Sequence, residues 1–421
     1  MPYNPPLPLR SAGRFRIFRS SALRILTFTT LFPNALQPLL AVFVYQRTVH
    51  LARLPGNELQ VIAPLPHAPQ WLPIQRWQET ARIALQEQQQ ELRVFHPRYF
   101  LIPKISMPLH GYSMFAGCSS LVRQLHQKNR FDCIDAHFVY PDGFAACLLG
   151  RMLGIPVIVS ARGTDMTLYP QFLTIRPQIR WTLRHAAGLV AVSDSLKREM
   201  VRLGAPQEKV RVISNGVDVT RFTPEDRRAA RQKLALPESA QIVVSVGSLL
   251  PVKSHERLIS AVVALRDRHP TLKAYIVGEG PARTKLEVAI RDSQAADQIK
   301  LVGSCPNEEL RYWFSAADVS CLVSSREGWP NVVSESIACG TPVVATRVGG
   351  VPEIICSSEL GIVVDSEISS IAGGLHQALT RAWNRDALVH HARGRTWDVV
   401  AREVNGYLEE CVSSSRERQS R

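Results

Sequence analysis

No Cys-x-x-Cys pair occurs in the 421 residues. The eight cysteines, Cys118, Cys133, Cys147, Cys305, Cys321, Cys339, Cys356 and Cys411, are scattered at spacings that suit neither a zinc site nor a disulfide framework. Most read as small buried hydrophobes. No apolar run approaches the ~18 residues a spanning helix needs. Residues 36–45 are apolar but short, contain Pro38 and lie too far from the start to be a good secretory signal. A cytoplasmic protein is therefore expected. Zinc-finger spacing and an RNP-like aromatic strand are both missing, so no nucleic-acid partner is expected. Acidic charge is in deficit: 50 Lys and Arg against 36 Asp and Glu give +14, a balance that favours anionic partners such as sugar nucleotides, lipid diphosphates or a membrane surface.

What is present is an ordinary globular composition in a chain long enough for two domains. Residues 1–23 form a basic tail, expected to be disordered, with Arg10, Arg14, Arg16 and Arg19 interleaved with Phe15, Ile17 and Phe18. Such a stretch either lies on an anionic membrane or frays. Residues 24–218 read as a first domain. It has strands at 24–29, 59–63 and 92–95, a polar stretch at 71–91 of helical composition, and two strands running into polar loops. The first loop carries His137 and Asp142, the second Arg162 and Asp165. After strands at 188–193 and 210–213, Asn215-Gly216 offers a hinge. Residues 219–385 alternate strand and helix again, with strands at 241–247, 273–277, 299–302, 319–323, 342–346 and 361–365, a pattern that implies a parallel sheet covered on both faces. Gly278-Glu-Gly280 within it reads as a tight βα turn. Residues 386–421 are closing helices.

The chemistry concentrates in 321–340, Cys-Leu-Val-Ser-Ser-Arg-Glu-Gly-Trp-Pro-Asn-Val-Val-Ser-Glu-Ser-Ile-Ala-Cys-Gly. A short strand leads into a loop bearing Glu327 and Gly328, then into a helix begun by Pro330 and ended near Gly340. Glu327 thus sits beyond the carboxyl end of a strand, where open α/β sheets bind ligands. Glu335 lies more than one turn into the helix. Between them, unpaired N–H groups at the helix start suit a phosphate. The carboxylates suit vicinal hydroxyls. Alone, such a pair is more often two solvated glutamates.

The context is what gives the pair meaning. With Gly340-Thr-Pro-Val-Val-Ala-Thr-Arg-Val-Gly-Gly-Val-Pro-Glu353 after it, the segment resembles the donor-site signature of the family 4 (group 1) retaining glycosyltransferases. The resemblance runs from Arg24 to about Leu408 and is densest from Val244 to Ile355. It implies the GT-B fold: α/β, two facing Rossmann-like doubly wound domains, with a C-terminal helix packing back toward the N-terminal lobe. It implies transfer of a hexose from a nucleoside-diphosphate sugar to a hydroxyl of a glycan or lipid-linked acceptor, in polysaccharide or glycoconjugate biosynthesis. Retention, no cofactor and no metal are also implied, and the D-x-D pattern that would hold a cation on a diphosphate is absent. The membrane's inner face would suit a lipid-linked acceptor.

Residue by residue, Val246-Gly-Ser-Leu-Leu-Pro-Val-Lys253 corresponds to the family's phosphate loop. The resemblance places Gly247, Ser248 and Lys253 at the donor diphosphate, Glu335 at the ribose and Glu327 at the donor sugar. The backbone of Gly328, Pro330, Asn331 and Val332 would meet sugar and phosphates. Ser248 stands where the family usually has arginine, Ser254 where it has glycine, and residues 37–43 lack the glycines usual after the first strand. Arg162 replaces the histidine of the Thr-x-His-Gly segment. Arginine is no base at neutral pH, so Arg162 would act as a charge partner. His137 is then the candidate for acid–base or orienting work, and Asp142 and Asp165 are acceptor-side candidates. A sugar-nucleotide epimerase of the same fold and a catalytically silent nucleotide-sugar binding protein are the alternatives.

Overall fold

Runs such as Val157–Ala161 and Val343–Thr346 offer water no polar face. Both are buried at every position, as parallel strands covered by helices on two sides must be. The computed structural model describes residues 22–67, 80–102 and 106–420. Its strands in chain order are β1 (Arg24–Phe28), β2 (Glu58–Ile62), β3 (Leu65–His67), β4 (Gln86–Gln89), β5 (Leu92–Phe95), β6 (Arg98–Phe100), β7 (Cys133–His137), β8 (Val157–Ala161), β9 (Gly188–Ala191), β10 (Val210–Val212), β11 (Gln241–Val246), β12 (Leu272–Val277), β13 (Ile299–Gly303), β14 (Val319–Leu322), β15 (Val343–Thr346) and β16 (Gly361–Val364).

They form an eight-stranded sheet, β10-β9-β8-β7-β1-β2-β5-β4, and a six-stranded sheet, β13-β12-β11-β14-β15-β16, while β3 and β6 pair apart. Among the described strands, only β4 with β5 is antiparallel. Alternate residues feed opposite cores. Leu26, Ile134 and Val159 lie on one face of the first sheet and Ile25, Cys133 and Ile158 on the other, as Val244 and Val243 do in the second. Each sheet reverses its winding beside its first strand, between β1 and β7 and between β11 and β14. Such a reversal opens a crevice beyond the carboxyl ends of the strands, which is where ligands bind in open α/β sheets.

The chain crosses between lobes twice. The first crossing follows β10 through Asn215-Gly216; the second precedes the helix Trp397–Gln419. They run side by side: Val217 N–H donates to Arg395 O at 2.9 Å, Arg395 Nη2 donates to Ser214 O at 2.9 Å, and Val217 and Thr396 form a parallel bridge. The closing helix then sets Trp397, Val400, Val404 and Leu408 into one core with Ile25 and Val44 of the first lobe.

Two details differ from the sequence reading, and the burial of most cysteines agrees with it. Within the polar stretch at 71–91, Gln86–Gln89 is an edge strand, turned back onto β5 through Gln90 at φ +51°; residues 71–79 lie outside the described residues. Pro330 is the residue before the helix Asn331–Ala338, with extended ψ 98°, rather than its first turn. Of the cysteines, all free, Cys356 is exposed and Cys305 half-buried while the other six are buried. The basic tail lies almost wholly outside the described residues. Among those described, no helix is long and apolar enough to cross a membrane.

Candidate active site

On the second lobe the loop after β11 runs through Gly247, Ser248 and Leu249 into the turn Pro251–Lys253. It is braced from behind by the Gly-Glu-Gly turn: Leu249 N–H donates to Glu279 O at 2.9 Å, and a Cβ on Gly278 would stand 2.0 Å from Gly247 O. Those glycines therefore form the back wall of the loop after β11, a role beyond a simple tight turn. The neighbouring Ser254 is held in left-handed backbone at φ +50°, which explains why glycine suits that position. From this loop Lys253 Nζ donates to Glu327 Oε1 at 2.6 Å, and Ser324 Oγ donates to the same oxygen at 2.6 Å. Glu327 is 11% exposed, so the pair is sheltered but reachable.

On the first lobe the ends of β7 and β8 carry a buried polar chain. Arg47, from the helix Val42–Ala52, donates Nη2 to both oxygens of Asp135 at 2.9 and 3.1 Å and Nη1 to Ser160 Oγ at 2.9 Å. His137 lies 3.3 Å from Asp135, and its Nδ1 accepts from Arg162. Burial, reinforced by Arg162 and Arg47 against the pull of Asp135, lowers the His137 imidazole to about 3. His137 is thus neutral with its acceptor nitrogen engaged. The charge of Arg47 holds Asp135 down at about 2 against the effect of burial. Arg162 also donates to Asn215 Oδ1 at 3.1 Å, and Asn215 donates to Asn331 Oδ1 at 3.0 Å. One hydrogen-bonded line therefore joins His137 to the start of the helix bearing Glu335.

Asp142 and Asp165 are fully buried and brace loops. Asp165 accepts from the N–H groups of Val139, Arg162 and Gly163 at 2.8 to 3.1 Å, and Asp142 from that of Thr30. Burial pushes Asp142 up to about 7.

The lobes meet at two glycines. A Cβ on Gly328 would stand 2.2 Å from Arg162 O, so the loops after β8 and β14 touch backbone to backbone where no side chain fits. Beside this contact the Glu353 carboxylate accepts from Asp194 N–H at 2.9 and 3.0 Å, at the start of the first-lobe helix Asp194–Arg202. Glu327 and Glu335 face different interlobe cavities. Glu335 lines one of about 310 Å³ with Asn331, Val332, Arg221 and Ala41. Burial, outweighing the opposing charge of Arg221, pushes its carboxyl up to about 7. Glu327 lines another of about 450 Å³. Ala41 holds the helix start at φ +47° where the family has glycines.

Arg47, Asp135 and the Asn215–Asn331 link carried no motif. The signal for Arg47 was its place in a buried helical face, Val44, Arg47, Thr48 and Leu51. Glu353 stood in the matched segment without a role.

Two facing Rossmann-like lobes with this cleft between them define the GT-B class. The chain belongs to the group 1 (family 4) glycosyltransferases. Residues 226–395 match the family described as glycosyl transferases group 1, and residues 41–221 match glycosyltransferase family 4. It is 28% identical over 368 residues to a putative teichuronic acid biosynthesis glycosyltransferase of Bacillus subtilis, covering 85% of this chain and 89% of that protein. It is 31% identical to the D-inositol 3-phosphate glycosyltransferase of Thermobifida fusca over 67% of this chain and 70% of the relative. The fold superposes on sucrose-phosphate synthase of Thermosynechococcus elongatus at TM-score 0.76, with 18% identity over 93% of this chain and 99% of that one. It superposes on Anabaena HepE, solved in complex with UDP, at TM-score 0.68, with 16% identity over 92% and 100%. These relatives favour neither the epimerase nor the silent binding protein.

Proposed function

We propose that this glycosyltransferase moves a hexose from a nucleoside-diphosphate sugar to a hydroxyl of a glycan or lipid-linked glycan, with retention of configuration and without a metal. The observation that carries this reading is the Glu327–Glu335 segment, whose two carboxylates open into different cavities of one cleft with a helix start between them. Glu335 would take the ribose hydroxyls and Glu327 the sugar. Lys253, Gly247, Ser248 and the N–H groups at Asn331 and Val332 would take the diphosphate. A diphosphate gains charge as it departs, so a fixed cation and a helix N-terminus stabilise the transition state more than the ground state. Donor binding would draw Lys253 from Glu327 onto phosphate and leave the Glu327 carboxylate for the sugar. His137, neutral and bonded, would orient Arg162 rather than carry a proton. Arg162 in turn would hold the Asn215–Asn331 link.

Hydrolysis and transfer screened across UDP-, GDP- and ADP-sugars test the reading, together with two variants. Glu335→Ala should weaken nucleotide affinity, and Glu327→Ala should mainly lower kcat. Equal loss of affinity in both with kcat untouched would remove the division of roles.

A further inference from the structure

The cavity beside Glu327 is lined by four guanidinium side chains. Arg176 and Arg180 come from the helix Arg176–His185, Arg202 from the end of Asp194–Arg202, and Arg326 from the loop before Glu327. Its two carboxylates are already engaged. Glu199 accepts from Arg202 at 2.7 and 3.0 Å, and Glu327 from Lys253 at 2.6 Å. Arg176, Arg180 and Arg326 form no ion pair among the described residues. Arg176 Nε donates to Pro170 O at 2.7 Å and Arg180 Nε to Leu203 O at 3.3 Å, which tethers each fork at its base while its outer nitrogens make no bond among the described residues. Arg326 makes no hydrogen bond at all among the described residues.

Three uncompensated guanidiniums around one cleft repel each other, and an anion placed among them relieves that repulsion. Guanidinium forks match the paired oxygens of phosphate and carboxylate. The geometry points to an acceptor that carries an anionic group, phosphate or carboxylate, seated among Arg176, Arg180 and Arg326 so that a hydroxyl of the same molecule is presented at Glu327. This rests on the transferase reading, with Glu327 at the donor sugar. In the transfer, the acceptor hydroxyl oxygen bonds to the anomeric carbon as the bond from that carbon to the diphosphate breaks. The diphosphate leaves with the electron pair and takes up the hydroxyl proton. The anionic group stays outside the chemistry. It fixes the hydroxyl's position and rejects neutral acceptors, which leave the arginines unpaired.

The test uses matched acceptors differing in one group: glucose against glucose 6-phosphate, and glucose against glucuronate. The donor is whichever nucleotide sugar the hydrolysis screen identifies. One charged member should show kcat/KM about tenfold or more above its neutral twin, the scale of a charge-assisted hydrogen bond. Which member responds tells phosphate from carboxylate. In an Arg180→Gln, Arg326→Gln enzyme the ratio should fall to within about threefold, and because it is a ratio, general damage to the donor site cancels. Calorimetric titration of the same three sugars into protein saturated with nucleoside diphosphate reads binding without turnover. Neutral and charged twins used or bound equally, no binding of either anionic sugar, or a preference that survives in the double variant would overturn the proposal. Donor hydrolysis without the preference defeats this inference alone. Anionic sugar binding with no donor hydrolysed or transferred defeats the transferase reading instead.

Discussion

In the proposed donor site, Glu335 is where charge and ligand recognition meet. Burial holds its carboxyl at about 7, so the side chain is largely protonated below that value and ionised above it. An ionised carboxylate accepts from both ribose hydroxyls, whereas a protonated one spends an oxygen as a donor. Nucleoside-diphosphate affinity should therefore rise with pH from about 6 to 8, and Glu335→Gln should flatten that rise in calorimetric titrations. At Lys253 the expectation is a large loss. Lys253 is the one side-chain cation in residues 246–253, the proposed phosphate loop, and its removal also strips Glu327 of its counterion. A charged hydrogen bond contributes about 1.5 to 3 kcal/mol, or roughly ten- to hundredfold in rate. Lys253→Ala should lower kcat/KM by about that upper figure, and a change within about threefold would move the leaving-group charge to another residue.

At the scale of elements, the helix His255–Ala264 starts from Ser254 in left-handed backbone, a conformation that a side chain disfavours. Ser254→Gly should raise unfolding stability by about 0.5 to 1 kcal/mol in denaturant titrations, provided the weak Ser254 Oγ bond to Pro251 O at 3.4 Å contributes little. No gain would mean that bond offsets the backbone strain. Elements differ in how far the sequence announces them. The inner strands were legible because burial on both faces demands unbroken apolar runs, as in β8 and β15. β4 was not, because an edge strand of glutamines with alternate residues exposed has the composition of a solvated helix. The Glu327 and Glu335 positions were readable from a local motif. The Arg47–Asp135 pair spans 88 residues and the Glu353–Asp194 bond 159, so no local spacing reveals either.

At the scale of the whole molecule, the lobes touch through Gly163 with Gly328 and through Glu353 at the start of Asp194–Arg202. A carboxylate at a helix N-terminus contributes about 0.3 to 1 kcal/mol, so Glu353→Ala should populate more open forms and increase the radius of gyration in solution scattering. An unchanged radius would assign the closure to the other interlobe contacts, the glycine contact and the Asn215–Asn331 bond among them. The paired crossings matter in another way. Val217 and Arg395 are joined by one hydrogen bond of 2.9 Å, and the described residues before the first crossing and after the second share one first-lobe core. Topologically the second lobe is a large insertion with adjacent ends, departing and returning at the same spot. A direct splice from Val217 to Thr396 would leave the first lobe's sheet and closing helix uncut, and a different lobe set into that gap would meet the same first-lobe surface. The molecule is thus a socket whose second lobe is plugged in through one pair of adjacent strands of chain.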